Sequence, residues 1–252
     1  MNHRTQTTDR EQMETGLSGA TVLVPFDASD PGSPSGDLVE LLGPHSVVAL
    51  GYYPVPDQST TEQLESQFGE EARETTESIA EQFADRGADV TTVVVFTHDR
   101  STTIERVATE YEADAVLTTG LVEGTLDRVL VPLRGDDNLE QIVKFVSVLL
   151  RQSTAEVTVL NVAESDDDAA QGELIVRGAC DRLEEAGLGS DRVGWRQERS
   201  GDVSSTIESV AEGYDMMMLG ETEPSLRERI IGGITLDLID QSPKPVLIIR
   251  NQ

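Results

Sequence analysis

The segment STTIERVATEY at Ser101–Tyr111 returns as SSTIESVAEGY at Ser204–Tyr214. Ser, Thr, Ile, Glu, Val, Ala and Tyr recur at matching positions without a gap. Each copy is followed by an aspartate, Asp114 or Asp215, and then by an apolar run. A second echo lies upstream, where VLVPF at Val22–Phe26 returns as VLVPL at Val129–Leu133. Motifs that recur in the same order in both halves point to duplication of one structural unit, with the split near Glu123–Asp127.

The pattern within each half specifies the unit. Short, nearly continuous apolar runs read as buried parallel strands, and they alternate with amphipathic helical stretches. In the first half the strands are expected at Thr21–Phe26, Val47–Tyr52, Val90–Phe96 and Ala115–Thr118. The helices are expected after a Ser33 or Ser35 cap through Leu42, over Thr60–Arg86 and over Ser101–Tyr111. In the second half the strands are expected at Val129–Leu133, Val157–Val162, Val193–Gln197, Met216–Leu219 and Val246–Ile249. Its helices are expected at Leu139–Arg151, Glu173–Ala186, Ser204–Gly213 and Leu226–Asp240, the last interrupted at Gly232-Gly233. Residues 1–18 are polar and aperiodic, and are expected to be disordered. The fold class is therefore α/β, with two Rossmann-like or flavodoxin-like parallel-sheet units at 19–124 and 125–252. The first is truncated, because Thr119–Arg128 leaves no room for a last helix and strand.

Charge sets the environment. The 252 residues hold 47 acidic and 19 basic side chains, a formal charge of -28, and Lys144 and Lys244 are the only lysines. Like charges at this density oppose a compact state in dilute buffer, whereas molar salt shortens the Debye length to about 3 Å. The acids are spread along the whole chain, so they read as the solvated surface of a protein from a salt-filled cytoplasm. The run Asp166-Asp167-Asp168 is expected to be an exposed loop. The same charge disfavours nucleic acid and anionic membranes as partners. No apolar stretch is long enough for a membrane span, and the polar N-terminus has no signal-peptide core. Cys180 is the single cysteine, so neither an intrachain disulfide nor a CxxC site can form. Met216-Met217-Met218 is expected to pack in the core.

The opening strand VLVPFDAS at Val22–Ser29, the ADAVL strand at Ala113–Leu117 and the tail LGETEPSLRERIIGGITLDLIDQSPKPVLIIR at Leu219–Arg250 carry a resemblance. Over residues 20–251 the chain resembles a tandem universal stress protein of the UspA family, of a halophilic archaeal type. The resemblance implies a nucleotide site built from an aspartate at the end of the first strand and a glycine-rich G-x2-G-x9-G-[ST] loop after the fourth. Glycines let the backbone approach phosphate, and a helix N-terminus presents amides to it.

Carried over residue by residue, the pattern marks Asp27 and Gly120 in the first half, and Gly220, Gly232 and Gly233 in the second, with Arg227 as a candidate phosphate cation. Both copies depart from it. No phosphate loop follows Gly120. In the second half Arg134 stands where the first has Asp27, Glu223 takes the middle glycine's place, and Gly233 replaces the Ser or Thr. A carboxylate at close range repels phosphate. Asp27 also reads as a turn residue, and Gly232-Gly233 as a close helix–sheet contact.

No P-loop and no G-x-G-x-x-G occurs, and His3, His45 and His98 lack metal-ligand spacing. The expected function is a non-catalytic regulatory or stress-response protein with an unidentified protein partner. The alternatives are a sensor binding ATP or another adenine nucleotide in the second half or in a composite cleft, and a soluble regulator of a transporter. The apolar strand Val246–Ile249 would form a sheet edge, which predicts a homodimer through it.

Overall fold

The computed structural model describes residues 19–118, 124–136, 138–221, 230–231, 234–235 and 244–251. Residues 1–18 and Gly120, Arg227, Gly232 and Gly233 lie outside these.

The first half runs β1 (Thr21–Asp27), α1 (Gly36–Leu42), β2 (Ser46–Pro54), α2 (Thr61–Ala84), β3 (Asp89–Thr97), α3 (Arg100–Glu110) and β4 (Ala115–Leu117). The second runs β5 (Arg128–Pro132), α4 (Leu139–Leu150), β6 (Glu156–Ala163), α5 (Asp166–Glu185), β7 (Val193–Arg199), α6 (Val203–Ala211) and β8 (Met216–Gly220). It continues through β9 (Ile230–Ile231), β10 (Ile234–Thr235) and β11 (Val246–Ile249). Local chemistry sets the helix starts. Ser35 caps α1 by accepting from Leu38 N, and Thr60 and Gln63 form a reciprocal capping box on α2. Asp99 and Asp202 cap α3 and α6 at equivalent points of the repeat.

Nine strands form one sheet in the order β3-β2-β1-β4-β11-β8-β5-β6-β7. Read outward from the middle, the two halves have the same arrangement: β4-β1-β2-β3 on one side and β8-β5-β6-β7 on the other. Every neighbouring pair is parallel except β4 and β11. Strand alternation divides the core. Val22, Val24, Phe26, Met216, Met218, Leu247 and Ile249 face α1, α2, α4 and α5 in one apolar layer that spans both halves. On the other face, Leu23, Val48 and Leu50 meet α3, while Leu130, Met217, Leu219 and Ile248 meet α6 in a separate cluster. The methionine triplet thus packs to both sides of its strand, as period-2 geometry requires.

Three expectations are corrected. Helix α5 begins at Asp166, so Asp166-Asp167-Asp168 is its exposed first turn rather than a loop. Ser165 accepts from Asp168 N at 3.2 Å, and three carboxylates there complement the helix dipole. Within the span Leu226–Asp240, read as a helix, the described residues are strands: Ile234 pairs with Ile231 and Thr235 with Ile230, antiparallel. Two β-branched pairs flanking Gly-Gly are a hairpin pattern, and it prevails over the helical spacing. Lastly, Val246–Ile249 is not a free edge. It is buried throughout and is paired on both sides within its own chain, with β8 and β4. The place beside β4 opposite β1 is filled by β11.

Candidate functional site

In a parallel α/β sheet, ligands bind beyond the carboxyl ends of the strands. Because β4 and β11 run antiparallel, this sheet has two such edges at opposite ends. The register makes the separation explicit. Gly220 pairs with Ile249, Ile249 with Ala115, and Ala115 with Val22. Gly220 is therefore level with the beginning of β1, whereas Asp27 ends it. Five residues along the strand and three strand spacings put them about 20 Å apart. The composite cleft between halves is thereby excluded for these two residues.

At the first edge, Asp27 Oδ1 accepts from Ser29 N at 2.8 Å and from Ser29 Oγ at 2.6 Å. Ala28 N donates to Tyr52 O at 2.8 Å. The carboxylate closes an Asx turn, the arrangement in which an Asp side chain substitutes for main chain. His98 lies beyond β3 on this edge, and its Nδ1 meets Val55 O at 2.9 Å, tying two strand-end loops together.

At the second edge, Gly220 ends β8 beneath α4. A Cβ there would stand 2.5 Å from Ile142 Cδ1 and 3.0 Å from its Cγ1, so a larger residue fits only if that side chain moves. Arg134 follows β5 and pairs with Glu164 at 3.8 Å. It borders a cavity of about 230 Å³ that also touches Asn161, Asp168 and Gly172. That is below the roughly 300 Å³ at which small-molecule sites begin. Asn161 is committed inward: Nδ2 donates to Leu133 O at 3.0 Å, and Oδ1 accepts from Gln197 at 3.1 Å.

Directly after Gly220 stands Glu221, only 4% exposed. Its Oε2 accepts from Asn251 N at 3.2 Å, and its carbonyl accepts from Asn138 Nδ2 at 3.0 Å and Asn251 Nδ2 at 2.8 Å. Asn138 holds left-handed backbone at the start of α4, not the extended conformation of a capping residue, and makes no side-chain cap; its Nδ2 is turned to Glu221. Burial pushes the Glu221 carboxyl above its ordinary range. The Asn251 amide and Arg250 oppose this, and Glu105 adds to it. Arg250 donates Nη2 to Thr109 Oγ1 at 3.1 Å, and its main chain bonds Asp114 and Gln141. The end of β8, the C-terminus and the start of α4 are thus one polar knot. The resemblance drew attention to Glu223 instead, and nothing local says that Glu221 is buried.

A larger groove of about 1100 Å³ runs beside α4 and α5, with Asp114, Asp136, Glu140, Lys144 and Arg182 on its walls. Mixed charge of this kind does not select an anion.

Of the six residues marked by sequence, only Asp27 and Gly220 are described, and the fold sends them to opposite edges. Among the described residues no helix is long and apolar enough to cross a membrane.

The universal stress protein family model matches residues 125–250. No curated protein matches the chain. Among solved structures, a universal stress protein from Archaeoglobus fulgidus DSM 4304 is similar at 14% identity, over 93% of this chain and 97% of that one, with a TM-score of 0.59. A protein of Pseudomonas aeruginosa UCBPP-PA14 assigned to the same family is similar at 13% identity, over 93% and 94%, with a TM-score of 0.52.

Proposed function

The chain belongs to the universal stress protein family, and we propose that it is a non-catalytic, stress-responsive regulator whose nucleotide sites have degenerated. On this reading it is a duplicated unit whose first copy has lost its last helix and strand. It works in a salt-rich cytoplasm and acts through a protein partner.

The observation that carries the reading is Glu221. A buried carboxylate sits immediately behind Gly220, where the family pattern brings backbone amides to phosphate. In a low-dielectric setting an ionised carboxylate there opposes the ligand's own charge. Arg134, in place of an aspartate, removes the acceptor that the pattern assigns to adenosine. Asp27 keeps that identity in the first half, but its Oδ1 is held by Ser29.

A thermal-shift titration with ATP, AMP and cyclic dinucleotides in molar KCl tests the proposal. The expected result is no saturable rise in melting temperature. A saturable rise would show a ligand bound to the native state. It would replace this reading with a nucleotide sensor.

A further inference from the structure

Strands β3 and β7 close the two ends of the sheet, and each is the third strand of its half. They are guarded unequally. The sequence of β7 is VGWRQER, with Arg196, Glu198 and Arg199 along it and an Arg196–Glu198 ion pair at 2.6 Å. Charges on an edge strand discourage pairing with another chain. In contrast, β3 reads DVTTVVVFT, with no charge from Val90 to Thr97. In a chain 26% charged, this is a conspicuous gap.

The main-chain bonds show which residues of β3 look outward. Asp89 N donates to His45 O at 3.1 Å, and Thr97 O accepts from Val55 N at 2.8 Å, both toward β2. Alternation turns the N–H and C=O groups of Val90, Thr92, Val94 and Phe96 the other way. Among the described residues no strand meets them there.

We propose that the outer edge of β3 pairs antiparallel with the same edge of a second copy, giving a two-fold dimer with one sheet continuous across both chains. Centred on Val93, the pairing sets Thr92 opposite Val94 and Val90 opposite Phe96, for about eight main-chain hydrogen bonds. Asp89 then lies opposite Thr97, and no carboxylate faces another. The contact is self-complementary and closes, whereas β3 against β7 would be open-ended and would oppose valines to Arg196 and Glu198. The second copy is thus the occupant that the charge pattern selects. Helix α2 packs along β3 and carries seven glutamates against Arg73 alone. Two such helices flanking the junction repel in dilute buffer, so the dimer needs salt.

Light scattering on the full chain tests this. In molar KCl the expected mass is twice 27.3 kDa, falling toward the monomer as salt is removed at concentrations where circular dichroism still reports a folded chain. Thr92→Pro removes an outward N–H that the fold does not use, and proline is tolerated at such edge positions. Thr92→Lys puts a charge on the strip by different chemistry. Both should halve the mass in molar KCl with the dichroism unchanged, while Gly194→Lys on β7 should leave the dimer intact. A monomeric wild type in molar KCl overturns the proposal. So does a dimer that survives both Thr92 variants, or one lost only in Gly194→Lys.

Discussion

His45 donates Nε2–H to the carbonyl oxygen of Leu149 at 3.4 Å, while its Nδ1 accepts from Ala20 N at 3.3 Å. The acceptor role of Nδ1 fixes the tautomer: the ring is neutral, with its proton on Nε2. One buried imidazole therefore joins the start of β1, the start of β2 and the last turn of α4, linking the first half to the second.

This geometry sets a pH dependence. Burial holds the His45 pKa below 6.5, and the Leu149 carbonyl offsets part of that shift. The unfolded chain then binds the proton more readily than the folded one, so stability rises with pH. The contribution is present in full above about pH 6.5 and is lost as the pH falls through the depressed folded value. His45→Gln should cost about 1–3 kcal/mol at neutral pH. It should also flatten the difference between melting temperatures at neutral and mildly acidic pH, measured in molar KCl. An unchanged slope would remove His45 from the account.

Glu221 has the opposite sign. Its folded pKa lies above the ordinary 4.5 because of burial. The folded state holds the proton more tightly, so this group's contribution is full below about 4.5 and is lost as the pH rises through the folded value. Glu221→Gln keeps the shape and an acceptor for Asn251 N while removing the charge. It should raise the melting temperature at neutral pH by about 2–4 °C, equivalent to about 1 kcal/mol in a chain of this size. The gain should shrink in acid. A destabilised variant at neutral pH would show that the ionised carboxylate is needed by the knot around Asn138 and Asn251.

Gly220→Ala should cost about 1–3 kcal/mol by overpacking, since the new methyl meets Ile142 Cδ1 at 2.5 Å. Ile142→Val deletes that carbon, so the double variant should recover part of the loss. Urea unfolding of the two single variants and the double variant gives the coupling directly. Additive losses would mean that Gly220 is needed for something other than this contact.

The surface makes its own prediction. With a formal charge of -28, folding should weaken steadily as KCl is lowered from molar to millimolar. The effect should be similar for KCl and NaCl if screening is its cause. Melting curves across a salt series measure it. A salt-independent melting temperature would contradict the proposal of a salt-rich working environment.

Much of the fold was legible in the sequence, because the signals are local. Val22, Val24 and Phe26 on one face and Leu23 on the other follow from alternation alone. The repeat at Ser101 and Ser204 announces two equivalent helices, and the structure adds their matching aspartate caps, Asp99 and Asp202. The link after β4 reads as too short for a further helix and strand, and the place beside β4 is taken by β11. The site was less legible. Asp27 and Gly220 were identified by their place in a pattern, and nothing in that pattern says which end of the sheet each one reaches.

That was decided by the partner β11 takes. VLII is apolar on both faces and reads identically beside any neighbour, so its local sequence contains no register and no direction. The vacancy beside β4 exists only once the first half has folded. The second half fills it in the antiparallel sense seen between Leu247 and Leu117. Strand identity is a property of residues two apart. Strand pairing is a competition among distant segments of the same chain, and here it closed one edge to a second copy, sent Asp27 and Gly220 to opposite ends of the sheet and buried Glu221 at the second of them.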